Sequence, residues 1–192
     1  MAIMPTAPTG SVELRVPVAA DGEAFVAAAR ASRRLHGAWV HAPDTPAQFR
    51  GYLKRYGARA GEATHIGLLA IRRADGALVG AFNLSNIVRG PFQSAYLGYY
   101  AFAPHAGHGY MTEALARTLD LAFASLRLHR VEVNVQPTNR KSIALVERVG
   151  FTREGHSRRY IKIAGRWRDH VRFAMLAEDW KARKRRRKGA RR

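Results

Sequence analysis

Between residues 99 and 126 an apolar strand passes through His105-Ala106-Gly107-His108-Gly109 into a helical stripe of Leu115, Leu119, Ala122 and Leu126. A strand that turns through two glycines straight into a helix commits the chain to a sheet with helices on its faces, since each apolar face needs a covering layer. The flanking patterns agree. Residues 11–18 alternate Val12, Leu14 and Val16 with polar neighbours, as a half-buried strand does. Asp21 is expected to cap a helix running to about residue 32, and Thr45-Pro46 to open a second with Phe49, Leu53 and Tyr56 on one face. Strands are expected at 66–71, 77–88 and 95–102, divided by turns at Asp75-Gly76 and Gly90-Pro91. Residues 131–135 put Val131, Val133 and Val135 on one face and Glu132 and Asn134 on the other. A short helix at 142–149 stops at Gly150. Two strands then flank Ala164-Gly165, the second with Trp167, Asp169, Val171, Phe173 and Met175 on one face. The order β-α-α-β-β-β-α-β-α-β-β predicts one α/β domain at 11–180 with a mixed sheet, after a flexible start at 1–10.

Composition excludes several chemistries. Cysteine is absent, so disulfides, thiolate metal sites and a cysteine nucleophile are ruled out. The eight histidines show no ligand spacing, and no metal is expected. No apolar run approaches the ~20 residues of a membrane span, and the first residues lack the basic-then-apolar order of a signal peptide, so no membrane contact is expected and the expected compartment is the cytoplasm. The charge is unusual: 33 Lys+Arg against 14 Asp+Glu gives +19. Nine of the twelve residues at 181–192 are Lys or Arg, and the remaining 24 basic and 14 acidic residues leave the body at +10. A polyanionic partner is implied, whether nucleic acid, a ribosome or a phosphate-rich cofactor, with 181–192 expected as a disordered basic tail that either contacts RNA or is only solvated.

The loop at 105–109 carries the sharpest chemistry. The first amides of the helix after it have no intrahelical partner, and the helix dipole favours negative charge there. Glycines let a ligand approach the backbone closely, so phosphate groups are natural occupants. A plain strand-to-helix turn would use the same glycines, and no G-K-S/T follows to make a Walker loop.

Residues 80–175 resemble the GNAT superfamily of acyl-CoA-dependent N-acetyltransferases, in its RimJ/RimL ribosomal-protein-alanine branch. The resemblance rests on Ala106-Gly107-His108-Gly109-Tyr110-Met111, on 83–90 (NLSNIVRG), on Asn139-Arg140-Lys141-Ser142 through Glu147-Arg148-Val149-Gly150-Phe151, and on 165–170 (GRWRDH), in the right order. Alanine at Ala106 and methionine at Met111 depart from the family's Q/R and small residues. The resemblance implies a mostly antiparallel mixed sheet flanked by helices and acetyl-CoA as co-substrate. It also implies that Ala106, Gly107, His108, Gly109, Tyr110 and Met111 hold the pyrophosphate, that amides near Ala101 and Phe102 face the acetyl carbonyl, and that Asn139 holds the pantetheine arm.

Many family members carry a tyrosine as acid to the leaving thiolate; the matching residue here is Val146. In the branch the chain resembles, the serine of N-x-x-S is a candidate to protonate or hydrogen-bond the thiolate, and the resemblance so implies Ser142 as the acid, although Asn139 and Ser142 equally suit a helix N-terminus. A base is harder to find. Glu132 is the candidate, with a cross-strand ion pair as its alternative use, and Glu113 suits the helix dipole. Trp39 suits either a core or an acceptor groove, and Trp167 the core. An α-amine has a pKa of about 7.7–8.0 against about 10.4 for lysine, so an N-terminal acceptor needs less help from a base. The expected activity is direct transfer to a protein N-terminal amine, the alanine of a ribosomal protein by resemblance. The alternatives are a small-molecule amine acceptor (antibiotic or polyamine), or an inactive ribosome- or RNA-binding module.

Overall fold

A computed structural model describes residues 10–57 and 63–189. Its elements are β1 (Val12–Arg15), α1 (Gly22–Ala31), α2 (Arg33–His36), α3 (Pro46–Tyr56), β2 (Ile66–Arg72), β3 (Leu78–Val88), β4 (Ser94–Ala101), α4 (Tyr110–Asp120), β5 (Arg130–Val135), α5 (Arg140–Val149), β6 (Thr152–Ile163), β7 (Arg166–Leu176) and α6 (Ala177–Gly189). One seven-stranded sheet has the order β1-β2-β3-β4-β5-β7-β6. Every neighbouring pair is antiparallel except β4 and β5. The mixed, mostly antiparallel sheet flanked by helices is the architecture expected from the sequence.

Each face of the sheet buries its own core. Phe82, Leu84, Leu97, Val131, Val133 and Phe173 meet Leu115 and Leu119 of α4 and Val146 of α5 on one face. On the other, Leu69, Ala81, Tyr100 and Phe102 meet Phe25 of α1 and Phe49 and Tyr52 of α3. The alternation of β4 sends Leu97 and Tyr99 to the first face and Tyr100 and Phe102 to the second.

The central pairing is short. β4 and β5 share three residue pairs, Ser94–Tyr96 against Arg130–Glu132. β3 continues along β4 to Ala101, and β7 along β5 to Val135. Past Tyr96 the two middle strands therefore part, and the sheet opens into a gap.

Several local expectations change. Thr45 does cap α3, accepting from the Gln48 amide at 3.3 Å, with Pro46 in the first turn. Asp21, however, makes no side-chain cap to α1. Its carboxylate accepts from the Val18 amide and from Arg15, both at 2.7 Å, because a cation two turns of chain away outcompetes the helix amides. Trp167, expected in the core, is 60% exposed. It lies four residues beyond Val171, where β5 ends, so no layer covers it. The basic segment also departs from its expected disorder, since α6 runs as a helix to Gly189. Buried Trp180 donates its indole N–H to Asp120 at 2.8 Å, Lys184 pairs with the same carboxylate at 2.6 Å, and Arg183 donates to the Arg148 carbonyl at 2.7 Å. Those contacts order what its like charges alone would keep extended. Residues 1–9 and 190–192, parts of the expected flexible start and tail, lie outside the described residues.

Candidate active site

The gap between β4 and β5 opens a cleft of about 990 Å³ that reaches both faces of the sheet. From the α4–α5 face it is lined by Gly107, Gly109, Met111, Asn139 and Ser142, and from the α1–α2 face by Arg34, His36, Trp39 and Tyr100.

In an antiparallel pair, alternate residues turn their N–H and C=O toward the partner. Phe102 donates to the Val79 carbonyl at 2.9 Å, so its amide faces β3. By the same alternation the N–H and C=O of Tyr99 and Ala101 face the gap. Of the two amides expected at the acetyl carbonyl, that of Ala101 thus faces the gap. That of Phe102 does not: it is taken by Val79, and the Phe102 ring is buried among Phe25 and Tyr100.

The loop before α4 leaves its backbone open. Gly107 and Gly109 have φ of +89° and +84°, and a Cβ at either would meet nothing within 4 Å. The backbone is therefore bare to a ligand at both positions. Intrahelical bonding starts with the Thr112 and Glu113 amides, which donate to the Gly109 carbonyl at 3.0 and 3.2 Å. The Tyr110 and Met111 amides precede it and have no helical acceptor. Ala106 and Met111 line the cleft. Met111 also packs on Gly80, whose Cβ position lies 2.5 Å from its sulfur, which explains methionine where a small residue was expected. The His108 and Tyr110 side chains are not part of the cleft's lining: their rings stack with centroids 6.0 Å apart, and the Arg72 guanidinium lies over Tyr110.

Asn139 and Ser142 begin α5. The Asn139 carboxamide oxygen accepts from the Ser142 amide at 3.2 Å, so Asn139 caps the helix and also lines the cleft. The Ser142 hydroxyl is 2.8 Å from that of Tyr99. Burial pushes the Tyr99 phenol well above its ordinary range, against the smaller pull of Ser142, so it stays protonated. Sequence reasoning missed Tyr99, because pairing a β4 side chain with the first turn of α5 requires the tertiary fold.

Glu132 is not brought to the cleft. Its carboxylate accepts from Arg130 Nε at 2.8 Å, and the same guanidinium grips Glu154. A neighbouring cation with two carboxylates to satisfy keeps it, so the expectation of Glu132 as base is withdrawn. Glu113 is also engaged, accepting from the Ser11 amide and hydroxyl and from Arg117. No Asp or Glu lines the cleft among the described residues, whereas Arg34, Arg140, Lys141 and Arg148 do.

Two buried histidines line it as well. His36 lies on α2 with Nε2 at 2.9 Å from the Ala101 carbonyl, and His170 on β7 has Nδ1 at 3.0 Å from the Arg168 carbonyl. Burial lowers both pKa values, opposed by the carbonyl each bonds. Trp39 is half-buried at the same mouth, where the buried Gln136 amide donates to the Ala38 carbonyl at 3.3 Å. No three His, Asp or Glu side chains among the described residues converge as a metal site. No helix among them is long and apolar enough to cross a membrane.

The family profile described as an acetyltransferase (GNAT) domain matches residues 11–152. The chain belongs to the GNAT acetyltransferase family. Within that family it is 41% identical over 118 residues to a probable N-acetyltransferase, YjcK, of Bacillus subtilis (strain 168), covering 62% of this chain and 64% of that one. It is 40% identical over 103 residues to the [ribosomal protein uS5]-alanine N-acetyltransferase of Escherichia coli (strain K12), covering 54% and 53%. The matches thus span about half to two thirds of the length of these GNAT relatives. The structure of Mycobacterium smegmatis RimJ in complex with CoA-disulfide superposes with a TM-score of 0.81 at 30% identity, covering 91% of this chain and 86% of that one.

Proposed function

We propose that this GNAT chain transfers the acetyl group of acetyl-CoA directly to a protein N-terminal amine, and that the N-terminal alanine of a ribosomal protein is the acceptor. The residues fit the co-substrate. The bare backbone at Gly107 and Gly109 and the free Tyr110 and Met111 amides would hold its pyrophosphate. Asn139 and the open edge of β4 would hold the pantetheine arm, and the Ala101 amide would donate to the acetyl oxygen as it gains charge. Ser142, oriented by Tyr99, would give the leaving sulfur a proton. Direct transfer follows because the chain has no cysteine and Ser142 has only a protonated phenol beside it, which is no base for a nucleophile.

The observation that carries the acceptor is the charge of the lining, three arginines and a lysine with no carboxylate among the described residues. Such a wall repels a polyamine or aminoglycoside, which arrives with several positive charges. An α-amine, with a pKa near 7.7–8.0, enters neutral at little cost. The two names nearest this function, a ribosomal-protein-alanine acetyltransferase and RimJ, support the choice. The reading places the protein in the cytoplasm, where ribosomal proteins are made, and assigns the cationic 181–192 segment to RNA or ribosome contact.

Intact-mass analysis of ribosomal proteins incubated with the protein and acetyl-CoA tests this. A gain of one acetyl group mapped to an N-terminal residue supports it; transfer to spermidine or an aminoglycoside in preference overturns the acceptor. Calorimetry with acetyl-CoA addresses the inactive RNA-binding alternative, which predicts no binding.

A further inference from the structure

The α1–α2 face of the cleft holds two hydrogen-bonding atoms without a partner among the described residues. The Asn134 carboxamide oxygen is sealed from solvent and unbonded. The other is Nδ1 of His36. Because a carbonyl can only accept, the 2.9 Å contact with Ala101 fixes the proton of His36 on Nε2. Nδ1 is left with a bare lone pair on a buried ring that lines the cleft.

The position matters as much as the lone pair. Ala101 turns its N–H and C=O to the same side of β4, so the peptide edge that His36 bonds is the edge facing the gap. The same segment is stitched to the end of β4 a second time, where the Ala103 amide donates to the Ser32 hydroxyl at 2.9 Å. Ser142 and Tyr99 enter from the opposite face of the sheet.

We propose that His36 is the proton acceptor for the incoming amine. The proposal rests on the direct-transfer reading above. The neutral amine nitrogen forms its bond to the acetyl carbonyl carbon, and one of its protons passes to His36 Nδ1. The carbon–sulfur bond breaks with its electron pair on sulfur, which takes the Ser142 hydroxyl proton; solvent then restores Ser142 and receives the proton from His36. Burial, which lowers the pKa of His36 more than the Ala101 carbonyl raises it, keeps the ring neutral and ready at pH 7. Tyr100 from β4 stands edge-on to it, and Arg33 and Arg34 share its helix, Arg33 being turned to Asp44; Arg30 of α1 also donates to Asp44. None of these shifts it.

His36→Gln separates base from brace, because the glutamine amide can still donate to the Ala101 carbonyl but cannot take a proton. With a peptide acceptor that the wild type acetylates, kcat/KM should fall about 10²–10⁴-fold, while acetyl-CoA affinity stays within threefold. In the wild type, log kcat/KM should drop with a slope of two at acid pH, one step for the amine and one for His36; in the variant the slope should be one. A slope of one in the wild type overturns the proposal without reference to any variant. So does a His36→Gln rate within threefold of wild type, or loss of the acid limb in His170→Gln instead. A wild type that acetylates no amine overturns the functional reading, a separate result from any of these.

Discussion

Gly109 offers a way to test the anion site by separating strain from charge. Its φ of +84° lies in the left-handed region, and the space where a Cβ would go is empty. Gly109→Ala therefore meets no clash, only the backbone cost of about 1–2 kcal/mol. At roughly 2–4 °C per kcal/mol for a chain of this size, the melting temperature should fall by about 2–8 °C. Gly109→Asp carries the same strain, eased because aspartate tolerates this region and suits the start of a helix, so it should melt no lower than the alanine variant. Binding should reverse that order. The methyl group only crowds the cradle, whereas the carboxylate takes the free amides of α4 for itself and sets a negative charge against the pyrophosphate. A pair of like charges ~4 Å apart near a protein surface interacts by up to about 4 kcal/mol before salt screening. Half of that is a roughly 30-fold loss in affinity. Calorimetric titration of acetyl-CoA into both variants, with melting curves alongside, reads the two effects independently. If Gly109→Asp binds acetyl-CoA as tightly as Gly109→Ala, the pyrophosphate does not sit at this loop.

Ser142→Ala should lower kcat by at least 10²-fold and Tyr99→Phe by about tenfold, the worth of one lost hydrogen bond, both with acetyl-CoA affinity unchanged; a loss under threefold for Ser142→Ala would leave it only a helix residue. Trp180→Ala removes a buried indole that also bonds Asp120 and should cost about 3–5 kcal/mol by denaturant unfolding. Among the described residues, deleting 181–192 removes the exposed Lys184–Asp120 pair and the Arg183 contact; peptide acetylation should persist, melting should fall by a few degrees, and RNA affinity should weaken with a flatter salt dependence. Asp21 is pushed up by burial but held below the usual carboxylate range overall by Arg15 and the Val18 amide. A depressed carboxylate contributes its stability above the unfolded pKa and loses it as pH falls through the folded value. The stability gap between wild type and Asp21→Asn should thus be full at pH 6 and close progressively below about pH 4.

The order of elements was legible because periodicity reports faces directly, and the glycine loop because φ above zero leaves little choice of residue. Alternation says which way a side chain turns but not whether anything lies over it. That is why Trp167 shares the face of Val171 and Phe173 yet stands exposed past the end of β5. Glu132 failed for a related reason: Arg130, two residues away on the same strand, claims it. The charge run at the C-terminal end masked α6, whose docking depends on one buried tryptophan and on Asp120, sixty residues earlier in the chain. His36 carried no local signal at all. Its meaning comes from the Ala101 carbonyl, 65 residues away, and only the folded chain brings the two together.

β4 lies fourth of seven in the sheet, yet past Tyr96 it has the unpaired edge of an outermost strand, with only the Ala101 carbonyl held, by His36. Proteins usually shield such an edge at their periphery, because it is a template for another chain. Here it lies at the centre, where only an extended molecule of the right width can reach it. The amide hydrogens of Tyr99 and Ala101 should consequently exchange with water far faster than those of Tyr100 and Phe102 on the same strand, and slow sharply when the gap is filled. The two halves of the sheet, β1–β4 and β5–β7–β6, meet along only three residue pairs, so an occupant laid beside β4 acts as the missing rung between them. Its binding free energy then adds to the stability of the whole domain in proportion to the logarithm of its concentration.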